Sequence, residues 1–249
     1  MSHGLQHTKS APGSTRRVGG SIIVDGVVLV HGSNLSAACW GRAREHLATS
    51  AVAVDLPGRG SRPADISAVT LDDCVDAVVD SANEAGFDRF VLVGHSLGGV
   101  VITEAASRNP ERVVSLVYVG ALIPAAGQSA AGVVFGADLP MTHPQTATEE
   151  RAKLFFANDM SDEQWGEVWR QFVPESPRLW NARLSGHRAD VPITYLSMSD
   201  DVGVPRLLAH EMINNLGNGV DHRVLSAGHL VMVTKPQALA AIINDADNC

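Results

Sequence analysis

The chain has 249 residues, a net charge of −8, 45% hydrophobic and 18% charged residues, and no Lys/Arg run long enough to bind a polyanion. Such a composition suits one globular domain with a substantial core and excludes a nucleic-acid-binding protein as the first reading. No apolar run approaches the ~20 residues that cross a bilayer, so no membrane association is expected. Cys39, Cys74 and Cys249 are too scattered for a disulfide framework or a CxxC metal site. Reduced thiols and a cytoplasmic location follow as expectations.

The first 20 residues, "MSHGLQHTKSAPGSTRRVGG", are polar, lack an apolar signal-peptide core and read as a flexible tail ahead of a domain spanning 21–249. "SIIVDGVVLVHG" predicts two short β runs around a hairpin-type turn at Asp25-Gly26. "LSAACWGRAREHL" has helical spacing, and "SAVAVDLPGRGSRP" is a strand entering a Gly/Pro loop. Thr70 and Asp73 form a capping-box pattern ahead of the apolar stripe Leu71, Cys74, Val75, Val78, Val79 and Ala82. "RFVLVGHSLGGVVITEA" reads as strand, sharp turn and helix, and "RVVSLVYVG" as another strand. From about 122 to 190 the alternation breaks into Pro-, Met- and aromatic-rich helical pieces, predicting an inserted helical cap. It resumes with the strand "VPITYLSMSDD", the helix "PRLLAHEMINNL", the strand "DHRVLS" and the helix "KPQALAAIIND".

Strands alternating with helices imply a mostly parallel, doubly wound α/β sheet, whose ligands bind beyond the carboxyl ends of the strands. Four strand ends carry polar groups: His31-Gly32-Ser33, Gly94-His95-Ser96, Asp200-Asp201 and Ala227-Gly228-His229. A serine hydroxyl needs a base to remove its proton, and that base needs a carboxylate to hold its tautomer. In Gly94-His95-Ser96-Leu97-Gly98 the serine occupies a strained strand-to-helix turn that exposes its hydroxyl and puts the Leu97 amide at a helix N-terminus. His229 is the candidate base. His95 lies in the same turn but faces elsewhere if Ser96 is exposed, and His31 reads as a structural residue. Asp200 and Asp201 are both available as the acid. The Ser33 amide, made accessible by Gly32, is the candidate second oxyanion donor alongside Leu97.

These motifs resemble those of the α/β-hydrolases, in the compact branch that includes plant methylesterases and hydroxynitrile lyases. The resemblance runs from about Val27 to Ile243, through "VLVHGSNLSAACW", "DLPGRG", "VLVGHSLGG", "VYVGALIP", "LFFANDMSDEQ", "SDDVGVP" and "AGHLVMVTKPQAL". It implies an α/β-hydrolase fold and a Ser96–Asp201–His229 triad. Asp201 is preferred because the branch places its acid four residues before a proline, here Pro205. Lyases of the branch typically carry a lysine after the histidine and a threonine after the loop histidine. This chain has Leu230 and Gly32, so the resemblance implies ester hydrolysis. Ala38 stands where the branch usually has a first tryptophan, while Trp40 is kept.

In the cap, Phe135, Met141, Phe155, Phe156, Met160, Trp165, Trp169 and Phe172 are candidates for an apolar wall. The candidate pocket residues are Gly32, Asn34, His95, Phe155, Trp165, Trp169 and Leu230. Expected, then, is a serine hydrolase of a small to medium carboxylic ester, with no cofactor or metal and a small-molecule substrate; a homodimer is left open. The alternatives are a hydroxynitrile or C–C lyase or natural-product tailoring enzyme on the same site, and a ligand-binding protein with vestigial turnover.

Overall fold

The computed structural model describes residues 17–18, 21–22, 24–186 and 190–247. The expected tail thus lies almost wholly outside the described residues, as does Cys249. Beyond a two-residue antiparallel pair, β1 (Arg17–Val18) and β2 (Ser21–Ile22), six strands make one sheet: β3 (Gly26–Val30), β4 (Ala51–Val54), β5 (Phe90–His95), β6 (Val113–Val119), β7 (Ile193–Met198) and β8 (Val220–Leu225). All are parallel, in the order β4-β3-β5-β6-β7-β8. The β-branched runs seen in the sequence are fully buried in β3, β5, β6 and β7, as parallel strands covered on both faces must be.

A short 3₁₀ turn (Ala37–Trp40) precedes α1 (Gly41–Arg44), followed by α2 (Leu71–Glu84), α3 (Gly98–Arg108), α4 (Ala130–Phe135), α5 (Glu149–Phe156), α6 (Asp162–Trp169), α7 (Pro177–Trp180), α8 (Arg206–Leu216), α9 (Val231–Thr234) and α10 (Pro236–Asp247). The alternation of strand side chains divides the core. Val28, Val30, Leu92, Leu116 and Tyr195 pack with α2, α3 and α8. Val27, Leu29, Val91, Val93, Val117 and Leu196 pack with α1, α9 and α10. Thr70 caps α2 through the reciprocal box with Asp73. Among the described residues no helix is long and apolar enough to cross a membrane.

One local expectation is corrected. Asp25-Gly26 is not a hairpin turn, because Asp25 is already held by the neighbouring parallel strand. Its N–H donates to Arg89 O at 2.8 Å, and its carboxylate accepts from the Asp88 and Arg89 amides. The antiparallel pairing comes earlier, between β1 and β2, where Val18 pairs with Ser21.

The chain lays β4 on one side of β3 and then crosses to place β5 on the other. That reversal opens a crevice beyond the ends of β3 and β5, the usual ligand position in such sheets. The segment between β6 and β7 carries α4 to α7, and it is tied down by a fully buried ion pair, Arg59 to Glu175. Arg59 also donates to Pro57 O in the "DLPGRG" loop, while Glu175 exchanges backbone hydrogen bonds with Gln145. Removing one partner of such a pair strands a buried charge. Glu175→Ala is expected to cost ~3–5 kcal/mol in urea unfolding; a loss below ~1 kcal/mol would contradict this role for the pair.

Candidate active site

The site grows from the end of β5. Ser96 has φ = 51°, a left-handed value that non-glycine side chains rarely adopt. Three backbone bonds hold it there. Its N–H donates to Val119 O at 3.1 Å, and its carbonyl accepts from Gly99 N (3.0 Å) and Leu122 N (2.9 Å). The elbow glycines are required by close approach, since a Cβ on Gly98 would lie 2.6 Å from His31 O and one on Gly94 2.8 Å from Gly98 O. After β3, a Cβ on Gly32 would lie 2.7 Å from Ser96 Cβ, so only glycine lets the Ser33 loop lie against the elbow.

Asp201 lies in the loop after β7, and His229 follows β8. The His229 Nδ1 lies 2.9 Å from both Asp201 oxygens. One of those oxygens also accepts the Val204 N–H at 2.8 Å. Nδ1–H therefore donates to the carboxylate, which fixes the orientation of the ring. Asp200 points elsewhere: it is exposed and accepts from the Ser199 hydroxyl. Ser96, Asp201 and His229 are 8%, 7% and 1% exposed.

Two other histidines support this arrangement while remaining neutral. His31 Nε2 accepts from Leu56 N–H, which places its proton on Nδ1, where it donates to Gly32 O at 2.8 Å. Burial, then the nearby Arg59 charge, lowers its pKa to about 3. His95 Nε2–H donates to the His229 carbonyl at 3.0 Å, and the two rings lie 4.6 Å apart. Burial, then the neighbouring His229, holds its pKa well below the ordinary value.

A narrow cleft lies here, lined by Ser33, Leu35, His95, Phe156, His229 and Leu230. Four of the expected pocket residues lie elsewhere. Asn34, at φ = 64°, turns into the base of the cap and donates to Val173 O at 2.8 Å. Phe155 lines a surface groove along α5, under Arg151. Trp165 is buried beneath Trp169 and donates to Glu149, and Trp169 packs on Phe172. Phe156 is the cap aromatic that reaches the site, with its ring 5.3 Å from that of His229 and tilted by 28°. Leu35 was not anticipated; its position two residues after Ser33 was the available signal.

Below the ordinary histidine range, unfolding lets His31 and His95 each take up a proton that the folded state refuses. Stability therefore falls as pH drops from about 6.5 toward 5, by up to ~1.4 kcal/mol per pH unit for each histidine. Urea titrations at pH 7, 6 and 5 check this; a stability that holds constant or rises over that window would contradict it.

The comparisons with known proteins agree with the architecture. The profile of the Alpha/beta hydrolase family matches residues 27–242. Methylesterase 7 of Arabidopsis thaliana is 28% identical over 246 residues, covering 87% of this chain and 94% of that protein. Norfluorocurarine synthase 2 of Strychnos nux-vomica is 27% identical over 247 residues, covering 85% and 91%. Among solved structures, an extracellular alpha/beta-hydrolase from a Paenibacillus species, described as sharing structural and functional homology with tobacco salicylic acid binding protein 2, is similar in fold. Its TM-score is 0.77 at 23% identity, over 89% of this chain and 98% of that one. With the parallel sheet, the elbow after β5 and a family match across most of its length, the chain belongs to the alpha/beta hydrolase family, on the methylesterase-like side of it.

Proposed function

We propose that this protein is a serine hydrolase that cleaves a small to medium carboxylic ester through an acyl-enzyme on Ser96. The observation that carries the reading is the buried His229–Asp201 pair, with Nδ1 at 2.9 Å from both carboxylate oxygens, at the same edge of the sheet as the strained serine. The likeness to Methylesterase 7 supports the choice of an ester.

In this mechanism His229 Nε2 takes the Ser96 proton as Oγ attacks the ester carbonyl, and Asp201 stabilises the imidazolium that forms. The oxyanion is received by two amides. Leu97 N–H stands just ahead of α3, where helix geometry leaves donors without an intrahelical acceptor. Ser33 N–H comes from the loop that Gly32 lets lie against Ser96. His229 then protonates the departing alcohol, and water, activated by the same base, releases the acid. The cleft beside His229 is narrow, and Leu35, Phe156 and Leu230 give it an apolar side that suits an apolar part of the ester. Its walls carry Leu230 and no lysine or arginine, which leaves a departing cyanide without a cation and favours ester over cyanohydrin cleavage.

Ser96→Ala and His229→Ala are each expected to lower hydrolysis of short p-nitrophenyl esters by ~10³-fold or more while leaving the fold intact. Asp201→Asn is expected to cost at least ~10²-fold and Asp200→Asn less than ~3-fold. Retained activity in Ser96→Ala would overturn the mechanism. Tight ligand binding without turnover, or mandelonitrile cleavage without esterase activity, would replace the reading.

A further inference from the structure

The motif "LFFANDMSDEQ" sits in the cap, and its Asn158-Asp159 pair has no part in the chemistry described above. The structure brings that pair onto the two loops that carry the acid and the base. Asp159 Oδ2 accepts the Gly228 N–H at 2.7 Å and the Thr234 hydroxyl at 2.9 Å. Gly228 immediately precedes His229, and Thr234 ends α9, the helix that His229 and Leu230 lead into. Asn158 Nδ2 donates to Asp200 O at 2.7 Å, one residue before Asp201. The approach is close enough that a Cβ on Gly228 would lie 2.7 Å from Asn158 Oδ1 and closer still to Asp159. Three residues before Asp159, at the end of α5, Phe156 lies over the His229 ring.

We propose that Asp159 is a positioning residue for His229, through which the cap fixes the backbone of the histidine loop. His229 makes its own bonds through Nδ1, to Asp201, and through its carbonyl, to His95 Nε2–H. The turn that delivers it, Ala227-Gly228, has no side-chain hydrogen bond of its own; Ala227 is packed in the core and its carbonyl accepts from Asp200 N–H at 3.1 Å. A carboxylate taking both the Gly228 amide and the Thr234 hydroxyl joins the two ends of this loop with charge-assisted bonds. An error of an ångström in a base costs far more in rate than in binding, so the effect belongs in kcat. The inference rests on the reading of His229 as the base.

The test compares Asp159→Ala, Asp159→Asn and Thr234→Val in the full chain. It measures kcat and KM on short p-nitrophenyl esters, together with the low-field proton resonance of His229 Nδ1–H, assigned by its loss in His229→Ala. Asp159→Ala is expected to lower kcat by ~10-fold or more with KM within ~3-fold, and to shift or broaden that resonance. Asp159→Asn keeps an oxygen that accepts from Gly228 and is expected to remain within ~3-fold of the parent; Thr234→Val falls between the two. Wild-type kcat in Asp159→Ala would overturn the proposal. So would equal losses in the Ala and Asn variants with the resonance unmoved. If His229→Ala kept its activity, the assignment of the base would be what failed; the resonance of Asp159→Ala would still decide whether the cap holds the loop.

Discussion

The arrangement at the carboxyl edge of the sheet depends on one strained residue. Ser96 holds a left-handed backbone conformation without being glycine, at a cost on the order of 1–3 kcal/mol that only surrounding structure can offset. The offset comes from β6 and the segment after it, through Val119 O and Leu122 N, and from the first turn of α3 through Gly99 N. β5 and α3 meet at that point with glycines on either side, and the serine stands at the sheet edge where the strand order reverses. A serine in an unstrained loop would not have its side chain delivered by a buried strand and a buried helix at once.

The rest of the site is held to that point by groups that take no part in bond breaking. His31 and His95 are neutral, fully buried and each committed at one nitrogen to a backbone carbonyl of a site loop. They act as rigid hydrogen-bonding struts, and their low basicity is what keeps them so. Asn34 ties the Ser33 loop to the segment between β6 and β7, and the buried Arg59–Glu175 pair ties the "DLPGRG" loop to the same segment. Both loops are therefore anchored to the same segment between β6 and β7.

Much of this was legible in the sequence for a physical reason: strands, elbow and strand-end residues are local patterns repeated in chain order. The Gly-x-Ser-x-Gly turn and the capping box at Thr70 each depend on residues within a few positions of one another, whereas the preference for Asp201 over Asp200 rests on the family resemblance. The cap resisted because its helices are short, and the side each one turns inward is decided by tertiary packing. Phe155 and Phe156 are adjacent and chemically identical, yet a helix sends them about 100° apart, one to a surface groove and the other onto His229. Trp165 and Trp169 suit a ligand wall by composition but stack on each other in the core of the cap. Asp25-Gly26 carries a hairpin signal that a nonlocal strand contact overrode.

The most direct measurement of the central claim is a crystal structure after reaction with a small fluorophosphonate ester, which traps a tetrahedral mimic on an activated serine. The account predicts phosphorus bonded to Ser96 Oγ, a phosphonyl oxygen ~2.7–3.1 Å from the Leu97 and Ser33 amide nitrogens, and His229 Nε2 within hydrogen-bonding reach of the serine oxygen. An unmodified Ser96, or an adduct whose phosphonyl oxygen faces away from those two amides, would contradict it.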